Sequence, residues 1–449
     1  MARAMKDSGI AAIGLIPEDW EVSCFKYNYS FGKGLPITKA DLVETGLGVI
    51  SYGQIHSKKN HGVDVTNDLI RFVDRSYIVR YPQCQLYQYD FVFADTSEDL
   101  DGCGNCVYMR NEIELFAGYH SLVVRPIARR DNRYMAYLFL TDEWRQQLRN
   151  SVSGIKVFSI TKGIMEKTRI LIPSLTEQKR IADYLDSICN VIYDSMADVQ
   201  AQIETLEQYK RSVITESVTK GLNPNVPLKE SGIDWIARIP EHWKSVPFQY
   251  VLIERNERNS PAKTDERLSL SIGLGVTLYA DKTTNLDRFK EDVSQYKLAY
   301  PGDLVMNSMN MIVGATGISD YFGCVSPAYY TFYDNTNDHV VAKYCEYLFL
   351  TPMVMGELHK LGKGIMFIER GDGRVNTCRL KVSRYDLGHL KIPLPDIEEI
   401  RSIVSTLDTK CAEIDAIIDG KRQQLAVLEE YKKSVIFEYV TGKKEVPVA

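Results

Sequence analysis

The stretch LEQYKRSVITESVT (Leu206–Thr219) is written a second time as LEEYKKSVIFEYVT (Leu428–Thr441), 222 residues later and identical at ten of fourteen positions. A repeat of that period makes the chain two copies of one unit, since self-similarity marks a module that stacks on or pairs with its own copy. The duplication reaches well past the helix. SGIAAIGLIPEDW (Ser8–Trp20) matches SGIDWIARIPEHW (Ser231–Trp243), YMAYLFLT (Tyr134–Thr141) matches YCEYLFLT (Tyr344–Thr351), and Gly154-Ile155 matches Gly364-Ile365. The second copy carries about ten extra residues around RGDGRVNTCR (Arg370–Arg379), which read as a loop.

Each unit therefore runs from an Ile-Pro-Glu-x-Trp lead-in, through a variable domain and a Tyr-Leu-Phe-Leu-Thr stretch, to Ile-Pro and a long helix. A length of 449 residues agrees with this, being more than one hydrophobic core organises. Short β-branched and aromatic runs predict many-stranded, mixed α/β domains. They are LGVISYGQIH, YDFVFAD and HSLVVRP in the first copy, and RLSLSIGLGV, GDLVMNS and PAYYTFY in the second. The frame is shared while the interiors diverge, as expected of two readers of different ligands.

The helices carry the clearest periodicity. Leu185, Cys189, Ile192, Met196, Val199, Ile203, Leu206, Lys210 and Val213 are spaced alternately four and three apart. Leu407, Cys411, Ile414, Ile418, Lys421, Leu425, Leu428, Lys432 and Val435 repeat the pattern. A seam this strict and narrow predicts a coiled coil rather than a broad face laid on a globular core. Ser174 with Glu177, and Asp396 with Glu399, predict N-terminal capping boxes; Gly221 ahead of Pro224, and Gly442, predict the stops. Two matching helices related by a pseudo-two-fold axis run antiparallel. The expected fold class is α+β: two globular mixed α/β domains separated by two long helices that form an antiparallel coiled coil, with a pseudo-two-fold internal repeat. The boundaries fall at 1–172, 173–222, 223–392 and 393–449. A helix from Thr176 to Thr219 would be roughly 65 Å long, a strut of fixed length.

Net charge is −5 and no segment is a basic block, so any phosphate contacts must come from local patches or from a partner. No apolar run approaches the length of a membrane helix, and GIAAIGLI, next to Pro17 and Glu18, is too short for a signal peptide. Nine cysteines, an odd number in a long chain, fit a reducing cytoplasm better than a disulfide framework.

Catalytic signatures are missing. No Pro-Pro pair exists to build an amino-methyltransferase motif, and no G-x-x-x-x-G-K-[ST] to hold ATP. Gly273 and Gly275 in SIGLGV read as a strand-edge bend. Asp95, Glu98, Asp99 and Asp101 read as a solvated acidic loop rather than a metal site. Cys103 and Cys106 form a single C-x-x-C without the second ligand pair that zinc needs.

Taken in order, IPEDW and IPEHW, IPSLTEQKRIADYLD and IPLPDIEEIRSIVSTLD, LEQYKRSVI and LEEYKKSVI, and PGDLVMNSMN with GATG and SPAYYTF resemble the specificity subunits of type I restriction–modification systems. The resemblance covers nearly the whole chain. It implies two target-recognition domains, each reading one half of a bipartite site in double-stranded DNA. It implies that the paired helices set the gap between halves and dock two methyltransferase (modification) subunits. Those partners would methylate adenine with S-adenosylmethionine, and restriction/translocase subunits using ATP and Mg would join them. The chain itself would be a non-catalytic recognition subunit that binds no cofactor. One departure is that YDFVFADTSED lacks the Pro-Gly that precedes Asp303 in the second copy.

Base reading needs side chains that present donors and acceptors together, and phosphate contact needs cations. In the first domain YGQIHSKKNH offers Gln54, His56, Lys58 and Lys59, and Lys156 follows Gly154. In the second, NSMN offers Asn307, Ser308 and Asn310, and Lys363 precedes Gly364. Tyr119, Tyr329 and Tyr330 read as core aromatics. Two other readings stay open: a scaffold or decoy that binds the methyltransferase without reading DNA, which the mild acidity keeps open, and a self-contained methyltransferase or nuclease with cryptic motifs. Methyl transfer by the chain alone would single out the last. Comparing cognate with random duplex at varied salt would single out the scaffold.

Overall fold

A computed structural model describes residues 3–127, 130–154, 156–282, 293–336, 338–365 and 379–447. The expected extra loop, Arg370–Cys378, and Ile155 lie outside the described residues. The chain divides into two compact units: Met1–Gln200 with Gln423–Ala449, and Ala201–Arg422. Each unit thus contains one variable domain, the start of one long helix and the end of the other.

In the first unit an antiparallel sheet runs in the order Cys106–Tyr108, Phe91–Ala94, Ser121–Pro126, Tyr29–Lys33. A smaller sheet places Leu47–Ile50 parallel to Leu115–Ala117, with Arg71–Val73 and Gln85–Leu86 at its edges. In the second unit Thr316–Ile318, Leu304–Asn307, Tyr329–Tyr333 and Ile253–Glu254 form the sheet equivalent to the first. Phe91, Phe93, Phe139 and Trp144 fill the core under one sheet, and Phe248, Phe332 and Phe349 fill it under the other.

The turn that leads into each central strand has the same shape. Tyr87 N–H donates to Asp90 Oδ2 at 3.0 Å, and Tyr300 N–H donates to Asp303 Oδ2 at 2.9 Å. A type II turn needs positive φ at its third residue. Gly302 supplies it at +85°, and in the first copy the bulky Tyr89 adopts +77°. The missing Pro-Gly changes the strain in the turn but not its path.

The central helix spans Leu175–Lys220 and the C-terminal helix Ile397–Val440. Residue numbers climb along one as they fall along the other. Tyr184 meets Tyr439, Tyr193 meets Lys432, Glu207 meets Arg422 and Lys210 meets Asp415, so the pair is antiparallel. Of the seam residues, Leu185, Ile192, Val199, Ile203, Leu407, Ile414 and Ile418 are buried, as are Cys189 and Cys411. Met196, Leu206, Leu425 and Leu428 are half-buried. Two of the three seam lysines reach partners across the pair: Lys210 Nζ lies 2.6 Å from Asp415, and Lys432 Nζ sits 4.9 Å from the centre of the Tyr193 ring.

The expected capping boxes are half correct. Glu177 N–H donates to Ser174 Oγ at 3.2 Å, and Glu399 N–H donates to Asp396 Oδ1 at 2.9 Å. The glutamate side chains, however, turn away from the helix and accept from a buried indole: Trp20 Nε1–H to Glu177 at 3.0 Å, and Trp243 Nε1–H to Glu399 at 2.8 Å. A buried Trp N–H without an acceptor is costly, and the carboxylate already at the helix N-terminus meets that need. This contact joins the Ile-Pro-Glu-x-Trp lead-in to the start of the long helix.

Candidate nucleic-acid interface

The frame that holds each variable domain is a clasp built from both helices. In the first unit Trp20 packs on Gly442, just past the end of the C-terminal helix, where a Cβ would come within 2.5 Å of Pro17 and 3.0 Å of Trp20. In the second unit Trp243 packs on Gly221, past the end of the central helix, where a Cβ would lie 3.0 Å from Glu399. Both glycines have positive φ, +69° and +78°, the left-handed conformation that ends a helix. The last turn of a helix leaves carbonyls unpaired, and each domain supplies a tyrosine for one of them. Tyr134 O–H donates to Val440 O at 2.8 Å; Tyr344 O–H lies 3.1 Å from Val218 O and 3.0 Å from Pro393 O.

A second tie joins each domain to the helix that follows it. Asp186 accepts from Tyr137 O–H at 2.9 Å and pairs with Arg110 at 2.6 Å and Arg133 at 3.0 Å. Asp408 accepts from Tyr347 O–H at 2.7 Å and pairs with Lys343 at 2.8 Å. Burial drives the Tyr137 and Tyr347 hydroxyls far above the ordinary phenol range, so both stay protonated donors. Sequence reasoning missed Asp186, Asp408, Tyr137 and Tyr347. Their fixed spacing from the matching segments of the two copies was the available signal.

The candidate DNA residues separate into two groups. Gln54 Oε1 accepts from Ser51 N–H at 3.2 Å and caps the short helix Tyr52–Ile55, which engages one of its two polar atoms. His56 is used on both ring nitrogens, Nε2 facing Thr96 O at 3.0 Å and Nδ1 facing Asn105 Nδ2 at 3.1 Å. It braces the loop and has no ring nitrogen left for a base. Asn307 is 8 % exposed, and its Oδ1 accepts from Met309 N–H at 3.0 Å. Ser308 is fully buried, its hydroxyl without a partner and its carbonyl accepting from Val382 N–H. These four sit in or under turns. Lys58, Lys156 and Asn310 are exposed, whereas Lys59 pairs with Asp68 at 2.7 Å and Lys363 with Asp386 at 3.2 Å, both at the surface.

The fold also decides which candidates adjoin. Phe158–Ser159, just after Lys156, pairs with Thr96–Ser97, and Thr96 holds His56; residues 54–59 and 156 therefore border one surface. In the second unit Val382 N–H reaches Ser308 O at 3.0 Å, and Lys363–Ile365 pairs with Arg379–Lys381. The Asn307–Asn310 turn and Lys363 are thus held by one neighbouring hairpin.

Two remaining motifs find places. Cys103 and Cys106 are buried, and burial pushes the Cys106 thiol to about 12, away from the thiolate that metals require. Gly273 and Gly275 turn a hairpin between Leu268–Ser271 and Gly275–Leu278. No described helix is long and apolar enough to cross a membrane.

Residues 17–205 match the family model for the type I restriction modification DNA specificity domain. The whole chain is similar to one from Methanocaldococcus jannaschii named as the MjaX specificity subunit of a type I restriction enzyme, 23 % identical over 97 % of this chain and 96 % of that one. It is also similar to the type I restriction enzyme MjaVIII specificity subunit of the same organism, 25 % identical over 75 % of this chain and 77 % of that one. In fold it is similar to a solved chain from a study of complex assembly and conformational transition of the type I R-M system, with a TM-score of 0.61, 16 % identity, and coverage of 96 % and 99 %. With its doubled clasp and its antiparallel helix pair, the chain is similar along nearly its whole length to type I restriction–modification specificity subunits, and the family model for their DNA specificity domain matches its residues 17–205.

Proposed function

We propose that this chain is the sequence-reading subunit of a type I restriction–modification complex and carries out no chemistry itself. Each variable domain reads one half of a bipartite site in double-stranded DNA. The antiparallel helices fix the gap and dock two methyltransferase subunits, which methylate adenine with S-adenosylmethionine; restriction/translocase subunits using ATP and Mg complete the assembly in the cytoplasm. The observation that carries this reading is the contrast between frame and interior. The clasp residues Trp20, Tyr134, Asp186 and Glu177 have exact counterparts in Trp243, Tyr344, Asp408 and Glu399, while the loops around Lys58 and Asn310 share nothing. A frame made twice suits a partner bound twice, and loops that differ suit two different half-sites.

The test is a genome-wide map of methylated adenines in cells with and without the chain. The expected result is one asymmetric two-part site methylated only when chain and methyltransferase are both present, and no methyl transfer by the purified chain. The scaffold reading, which the net charge of −5 keeps open, predicts equal affinity of the complex for cognate and random duplex at every salt concentration.

A further inference from the structure

Duplication sorts the exposed residues. A side chain that meets a partner bound twice is repeated, as with Tyr209 and Tyr431 at matching helix positions, 56 % and 50 % exposed. A side chain that discriminates bases has no counterpart, because the two half-sites differ. Among the described residues the two most exposed large hydrophobic side chains are Val79, at 85 %, and Leu274, at 77 %. One lies in each variable domain, in stretches the copies do not share.

Both are held out by a rigid support. Val79 lies on the one-turn helix Tyr77–Arg80, whose flanking rings, Tyr77 and Tyr81, stack at 6.0 Å and pack on the cluster of Leu47, Val73 and Phe116. Leu274 sits between Gly273 at φ +81° and Gly275 at φ +68°, and the turn is backed by Gly317, where a Cβ would approach Gly275 to 2.8 Å. Among the described residues each tip has one cation near it that is not paired with a carboxylate, Arg80 in the first domain and Lys282 in the second. Arg80 is exposed next to Val79, while Arg75, four residues before that side chain, pairs with Glu114 at 3.0 Å. Lys282 Nζ reaches Ser271 Oγ at 3.3 Å at the base of the Leu274 turn, whose other side borders a pocket lined by Lys343 with Asp320, Asp338 and Glu346. An aliphatic tip beside a cation complements a groove that offers an apolar group between phosphates. In duplex DNA that group is the C5-methyl of thymine in the major groove.

We propose that Val79 and Leu274 are specificity-determining residues, each contacting the methyl of a thymine in the half-site its own domain reads, with Arg80 and Lys282 placed for the adjoining phosphates. This rests on the DNA-reading function above. The test uses the full complex with its methyltransferase and duplexes in which each thymine of the mapped site is replaced, one at a time, by deoxyuridine, which lacks only the methyl. One position in the first half-site should lower methylation by about 5- to 100-fold with the wild-type chain, and Val79→Ala should lower it by a similar factor on the natural duplex. Combining the two should add little further loss, and the letters of the other half-site should not change. Leu274→Ala should give the mirror result. Both side chains are exposed, so unchanged melting curves would confirm that the variants fold. Additive losses, uniform weakening at every position, or no effect would overturn the proposal while leaving site-specific methylation intact. A wild-type complex with no site preference would instead remove the DNA-reading function, and this proposal with it.

Discussion

Tyr89 holds a backbone conformation that a bulky side chain adopts only at a cost of about 1–2 kcal/mol, in a turn where its counterpart is Gly302. Its ring is 47 % exposed, so little packing offsets the strain. Tyr89→Gly is expected to stabilise the protein by up to about 1 kcal/mol after the extra entropy of glycine in the unfolded chain, read as a higher urea midpoint at unchanged slope. Glu346 makes a pH-dependent contribution. Burial raises its carboxyl above the ordinary carboxylate range, against the pull of Ile318 N–H, which donates to Oε1 at 3.0 Å. A carboxyl raised on folding supports stability below its unfolded pKa, and that support is lost as pH rises through the folded value. Glu346→Gln keeps an acceptor for Ile318, so the variant is expected to gain stability over wild type at neutral pH and lose the difference near pH 4, as thermal melts across pH would read. At this scale the sequence was only partly legible. Gly302 announced its turn through Pro-Gly, whereas Tyr89 had no local signal. His56 and Ser308 looked like free polar groups because their masking partners, Thr96, Asn105 and the surrounding turn, come from chain that periodicity cannot place beside them.

Helices were the most legible elements, since a four-three spacing depends on little beyond the helix itself. The Ser174 and Asp396 caps and the Gly221 and Gly442 stops were readable for the same reason. The destination of the glutamates was not, because Glu177 lies 157 residues from Trp20 and no local rule links them. The strongest test of the clasp is at a helix end. Tyr134→Phe removes the hydroxyl that donates to Val440 O in a buried site and should cost about 1–3 kcal/mol, with hydrogen exchange loosening selectively around residues 435–442. Leu185→Ala, in the buried seam, should cost about 2–5 kcal/mol through lost burial and the cavity left behind. An equal loss of protection throughout the helix in Tyr134→Phe would show that the clasp does not act locally.

For the molecule as a whole, the repeat gave the architecture and the order of its parts, and the bases read lay beyond it because they depend on loop shape and on the DNA. If the helices set the gap, four residues inserted after Val199 lengthen one of them by about 6 Å, close to two base-pair steps. The methylation map should then show a changed gap with the same half-site letters, or no methylation; new letters at the old gap would count against a spacing role. The Tyr134–Val440 bond has a further consequence for biosynthesis. Its partners are 306 residues apart, so a ribosome adding about 5–20 residues per second makes the first domain roughly 15–60 s before the segment that closes it. Throughout that interval the nascent first domain displays Trp20 and Tyr134 without their cover, and its completion waits on the segment from Gln423 onward that closes the unit.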